Sequence, residues 1–110
     1  MKQRDIFLAD LEPTTGQEQQ GVRPVLILSG NTMNEHFDLC MICPLSSKVK
    51  NFPTCVVLKK SVLNGLSQDS EVLTFQLRTI SKKRLQKKIG EISGEELEQV
   101  FSGLNDVLRY

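Results

Sequence analysis

Residues 21–29 read GVRPVLILS, and they set the terms for the rest of the chain. Pro24 has no backbone N–H to donate, and its ring holds the preceding Arg23 in an extended conformation. The four residues that follow, Val25–Leu28, are all apolar and include β-branched Val and Ile, which suit a pleated surface. A loop therefore enters a buried strand at Arg23. Working outward, similar β-favouring runs recur at Ile6–Leu11, Leu39–Leu45, Thr54–Leu58 and Val72–Phe75. The segments between them carry turn chemistry: EPTTGQEQQG, SGNTMNEH and NFP are rich in Gly, Pro and Asn and are expected to be loops. Short strands at short intervals predict a compact antiparallel sheet or barrel.

The carboxyl end changes period. Leu97, Val100, Phe101, Leu104, Val107 and Leu108 fall at the three- and four-residue spacing of one helical face, so a helix is expected to pack its stripe on the sheet. Ser93 followed by Glu96 has the form of a capping box, which places the helix start near Gly94. Between Arg78 and Ile92, Ser81 is placed to cap a short basic helix, and KIGEI can return as a further strand, weakened by Gly90. The expected class is mainly β with added α, on one domain spanning residues 1–110.

At 110 residues, with 39% hydrophobic and 25% charged side chains, the chain can hold one hydrophobic core. MKQRDIFLAD turns polar too soon for a signal peptide or a membrane span, so the expected location is cytoplasmic. The net charge of +1 does not by itself mark a nucleic-acid partner. Local charge does more, with Lys48, Lys50, Lys59 and Lys60 in one stretch and Lys82, Lys83, Arg84, Lys87 and Lys88 in another.

Several chemistries are excluded by what the chain lacks. A single histidine, His36, rules out an acid–base pair of imidazoles and is expected in a surface loop. Cys40 and Cys43 have C-x-x-C spacing, but in a strand residues three apart point to opposite faces and cannot share an ion. With three cysteines and one histidine, a closed zinc site lacks ligands, and buried free thiols are the better expectation. No Gly-rich loop opens a helix, which removes the usual anchor for nucleotide phosphates. No cofactor and no metal are expected.

Arg23 then stands out. An arginine at a strand edge presents a permanently charged fork suited to bidentate contact with a phosphate, although a salt bridge to Glu18 is an alternative. Ser46 and Ser47 follow the strand Leu39–Leu45 and offer hydroxyl donors beside the cations Lys48 and Lys50.

Four segments in order resemble the MazF/PemK/Kid family of toxins: DLEPTTGQEQQGVRPVLILS at 10–29, CPLSS at 43–47, FPTCVVL at 52–58 and QLRTIS at 76–81. The resemblance implies an SH3-like small β-barrel with short helices and a carboxyl-terminal amphipathic helix, a fold shared with CcdB. It also implies sequence-specific, metal-independent cleavage of single-stranded mRNA by a type II toxin–antitoxin endoribonuclease. The ribose 2′-hydroxyl attacks the adjacent phosphate, leaving a 2′,3′-cyclic phosphate and a 5′-hydroxyl. Carried over by position, Arg23 matches the catalytic arginine and Ser46 the position of a catalytic threonine, with Ser47 the alternate. Glu18 matches a loop glutamate that serves as base or orients Arg23. Gln19, Gln20, Ser47, Lys48, Lys50, Gln76 and Arg84 fall among the substrate-binding positions. Two departures separate this chain from the Kid branch, which carries a histidine at Gln17 and an arginine and aspartate at Leu73 and Phe75. The implied partners are a second copy of the chain, forming a homodimer with the RNA groove between subunits, and a cognate MazE-like antitoxin whose acidic tail fills that groove. Two other functions fit the same fold: a gyrase poison similar to CcdB, and an inactive SH3-like interaction module. The absence of Trp, the LRY ending and the Gly-x-Arg-Pro loop favour the nuclease over the gyrase poison.

Overall fold

A computed structural model describes residues 1–12 and 21–109. Seven strands make one antiparallel sheet: β1 (Asp5–Asp10), β2 (Val22–Ile27), β3 (Leu39–Ser46), β4 (Val56–Leu58), β5 (Ser70–Val72), β6 (Arg78–Ser81) and β7 (Leu85–Glu91). Their order is β4-β5-β3-β2-β1-β7, with β6 also paired to β3. The sheet curls into a half-barrel, the mainly β architecture expected. Two helices complete it, α1 (Asn31–His36) and α2 (Gly94–Leu108). No described helix is long and apolar enough to cross a membrane.

β3 organises the sheet because it is long enough to serve three neighbours. Its middle pairs with β2 (Val25 with Pro44, Ile27 with Ile42), its first half with β6 (Cys40 with Ile80) and its end with β5 (Leu45 with Val72, Ser46 with Glu71). Alternation along the pleat sends successive side chains to opposite faces, and two apolar clusters result. Ile6, Leu26, Cys43, Leu45 and Val72 join the buried face of α2 in one. Ala9, Leu11, Val25, Ile27, Cys40, Ile42 and Ile80 make the other. Cys40 and Cys43 accordingly lie in different clusters, both buried with free thiols, as their spacing requires.

α2 starts where the capping box places it. Ser93 Oγ accepts the Glu96 N–H at 3.1 Å, and Glu96 Oε1 accepts the Ser93 N–H at 2.9 Å. Leu97, Val100 and Leu104 are buried, while Val107 and Leu108 run past the sheet and stay exposed. Gly103 lets the helix touch the loop before β4: a Cβ there would stand 2.0 Å from the Thr54 carbonyl oxygen. Gly90, which weakened the sequence reading of β7, has a similar purpose. A Cβ would meet the Asn64 carbonyl carbon at 2.3 Å, so the glycine admits a loop against the strand.

Three local expectations are revised. Residues of SGNTMNEH form α1 rather than a loop, because buried Asn34 ties the turn down: its Nδ2 donates to the Ser29 carbonyl at 2.9 Å and its Oδ1 accepts from Ser29 Oγ. His36 is therefore an exposed residue of the last helical turn. The strand expected over Val72–Phe75 ends at Val72 and gives way to a 3-10 turn, Thr74–Gln76, anchored by Thr74 Oγ1 donating to the Thr54 carbonyl at 3.2 Å. The strand expected from Thr54 begins at Val56, since Thr54 itself has a φ of +74°. By contrast, the short basic helix expected after Arg78 is present as one 3-10 turn, Lys82–Arg84, capped as expected by Ser81 Oγ accepting the Lys83 N–H, and it follows strand β6 at Arg78–Ser81.

Candidate functional site

The edge that carries Arg23 is built by β1, β2 and β3. Arg23 pairs across β1 with Ala9 near the start of β2. The β2–β3 pairing runs as far as Val25 with Pro44, which brings the start of β2, with Arg23, towards the end of β3, with Ser46 and Ser47 after it. Ser46 has the same parity as Cys40 and Ile42, and therefore belongs to the same face. A guanidinium and two hydroxyls from distant parts of the sequence thus lie towards the same end of the paired strands. Arg23 is exposed, whereas Ser46 is buried.

The end of β3 also divides two clefts. One, of about 320 Å³, is walled by Arg23, Pro24, Leu45, Ser47, Leu66 and Gln68 among others. The second, of about 380 Å³, is walled by Ser46, Lys48, Lys50, Phe52, Leu73, Phe75 and Gln76. Each serine faces one of them, and the pleat explains the split. Arg23 therefore shares its cleft with Ser47, and Ser46 lines the neighbouring one. Ser46 Oγ accepts the Lys48 N–H at 3.2 Å, a turn that orients the hydroxyl and leaves its proton to be donated.

The loop that follows Ser46 is held from beneath by an acid. Glu71 is fully buried, and its two oxygens accept the backbone N–H groups of Lys50 at 2.9 Å and Phe52 at 2.8 Å. A buried carboxylate is costly unless hydrogen bonds compensate it, and here it receives one donor on each oxygen. Asn51, between the two donors, takes a φ of +54° so that both N–H groups aim at one carboxylate. Lys48 and Lys50 are consequently exposed cations on a fixed backbone. Phe52 and Phe75 stand edge-to-face in the same cleft, with ring centroids 5.4 Å apart.

Not every residue singled out in the sequence converges here. Gln76 lines the Ser46 cleft. Arg84 lines neither large cleft: its Nη1 donates to the carbonyls of Asp10, at 3.2 Å, and Glu12, which ties the second 3-10 turn to the chain leaving β1. Glu18, Gln19 and Gln20 lie outside the described residues, as does any ion pair between Glu18 and Arg23. Among the described residues, no group of three His, Cys, Asp or Glu side chains is arranged to hold a metal ion. Burial pushes the Cys43 thiol up to about 12, with Cys55 nearby adding to the shift, and burial likewise raises Cys40. Neither is a nucleophile at neutral pH.

Sequence reasoning missed Glu71, Phe52 and Phe75. The acid between Ser70 and Val72 was a visible signal, since a carboxylate in an apolar run needs a partner. The rings gave none, because a phenylalanine in a sequence reads as core.

Known proteins match this chain over nearly its whole length. The family model for the PemK-like, MazF-like toxin of type II toxin–antitoxin systems matches residues 2–108. An Endoribonuclease MazF from Staphylococcus saprophyticus is 33% identical over 107 residues, covering 96% of this chain and 88% of the relative. MazF from Deinococcus radiodurans superimposes with a TM-score of 0.86 at 26% identity, covering 98% of this chain and 96% of that one. A MazE–MazF structure from the same organism matches with a TM-score of 0.79 at 27% identity, over 98% and 95% of the two chains.

Proposed function

The chain belongs to the family of PemK-like, MazF-like toxins of type II toxin–antitoxin systems, and we propose that it acts as a single-domain cytoplasmic endoribonuclease that cuts single-stranded mRNA at specific short sequences without a metal. The reaction is attack of a ribose 2′-oxygen on the adjacent phosphorus. The new O–P bond forms as the bond to the 5′-oxygen breaks, and the products are a 2′,3′-cyclic phosphate and a 5′-hydroxyl. Such a step needs a proton acceptor at the 2′-oxygen, charge at the phosphorane and a proton for the departing oxygen. Arg23 supplies the charge, as a bidentate donor to nonbridging oxygens. A permanently charged guanidinium suits stabilisation better than proton transfer. Ser46 donates a hydrogen bond to a nonbridging oxygen or to the 2′-hydroxyl, with Ser47 on the neighbouring wall as the alternate. Glu18 is the base or the group that orients Arg23.

The observation that supports this reading is that Arg23 and Ser47 line one cleft at the end of β3, while Ser46 lines the adjoining one with Lys48 and Lys50. Lys48, Lys50 and Gln76 extend the site along the second cleft, and Gln19 and Gln20 complete the substrate-binding set. The working form is a homodimer with its RNA groove between subunits, closed off by a MazE-like antitoxin. A disordered acidic segment can occupy a cationic groove as RNA phosphates do. Incubation with a long single-stranded RNA in EDTA tests the proposal, with sequencing of fragment 5′ ends. Fragments bearing 5′-hydroxyl ends at a recurrent short motif are expected, and intact RNA would overturn it.

A further inference from the structure

Phe52 and Phe75 belong to neither buried cluster. They remain 39% and 49% exposed, although they meet edge-to-face at an interplanar angle of 87°. Two large rings brought together in water, in a chain whose core is made without them, call for an occupant. Their backbones are unusually well anchored. Glu71 grips the N–H of Phe52 from below, and Thr74, buried and bonded to Thr54, fixes the turn that carries Phe75. Around them the chemistry is cationic and polar: Lys50 Nζ stands 5.9 Å from the Phe52 ring centroid, and Lys48 and Ser46 share the cleft.

We infer that Phe52 and Phe75 form a stacking platform for one unpaired base of the RNA strand whose scissile phosphate lies at Arg23 and Ser46. This rests on the nuclease reading and adds the residues that seat the base. A π-face accepts a base by stacking, and cations beside it meet the flanking phosphates, the combination by which single strands are held. A dry apolar partner, including a second copy of the chain, fits less well, because it would strip water from Lys48 and Lys50 without offsetting their charge. The platform is built from fixed backbone and presented side chain, so it can select how a strand enters the cleft before any chemistry occurs.

The chain contains no tryptophan, so Phe75→Trp installs a single indole reporter at an exposed position. Single-stranded oligodeoxynucleotides of A, C or T are suitable probes, since they stack but lack the attacking 2′-hydroxyl. Quenching of the indole by these strands is expected, with affinity lowered roughly 5- to 150-fold when Phe52→Leu is added, the range for one stacked base. Emission unchanged by every strand would overturn the platform. So would a Phe52→Leu, Phe75→Leu protein that binds these strands as tightly as the wild type while sedimenting as a smaller species, since the rings would then belong to an interface between copies. Quenching that depends on Phe52, together with a wild-type chain that leaves single-stranded RNA intact, would support the platform and remove the nuclease.

Discussion

The two faces of the curled sheet are finished in opposite ways. Beneath α2 the surface is closed: Leu97, Val100 and Leu104 are buried against the strands, the helix start is satisfied by its own capping box, and Gly103 brings backbone within contact of Thr54. At the free ends of β2 and β3 the surface is open, and the exposed groups are Arg23, Ser47, Lys48, Lys50, Phe52 and Phe75. Apolar side chains and a self-satisfied helix start gather beneath α2, whereas exposed cations and two partly exposed rings gather towards the strand ends. Stability and chemistry are therefore carried by different parts of a small chain, and substitutions should separate them.

The largest separation is expected at Arg23. Arg23→Ala should reduce RNA cleavage by at least about a hundredfold to a thousandfold, as for loss of a main electrostatic group, while the unfolding midpoint stays at the wild-type value. Ser46→Ala should slow cleavage by about tenfold to a thousandfold, more than Ser47→Ala does. A folded Arg23→Ala protein that cleaves at the wild-type rate, or a Ser47→Ala that outweighs Ser46→Ala, would redraw the open face. On the closed face, Leu97→Ala empties a buried position beneath the helix and should cost about 3 kcal/mol of stability, with cleavage per folded molecule unchanged. Denaturant titration beside a cleavage assay reads both. The smallest effect is expected at the cap, where Ser93→Ala removes the acceptor for the Glu96 N–H and should cost about 1 kcal/mol. A Ser93→Ala protein with normal stability but impaired cleavage would show that the two faces are coupled.

Elements whose signal is local were legible along the chain. The α2 stripe, its start at Ser93, the strands around Val25–Leu28 and Leu39–Leu45, and the opposite facing of Cys40 and Cys43 all follow from periodicity and capping, which need only nearby residues. Misreadings cluster where a distant group overrides local preference. Asn34 and Ser29 make a helix of a segment rich in turn formers, and Thr74 with Thr54 stops β5 short of Phe75. For the site, residue type together with the family resemblance pointed to Arg23 and Ser46, whereas the partners of Glu71 and the exposure of Phe52 and Phe75 were set by contacts between distant segments.

The order of residues by itself determined a mainly β chain ending in an amphipathic helix, with an arginine entering one strand and hydroxyls leaving another. Tertiary structure alone decided that those two ends are neighbours, that Glu71 reaches 19 and 21 residues back to seat the backbone of Phe52 and Lys50, and that two rings stay in water. The physical reason is range. Helical stripes, caps and proline restrictions act over a few residues, whereas strand register and the satisfaction of a buried carboxylate depend on which distant segments the closing sheet brings together.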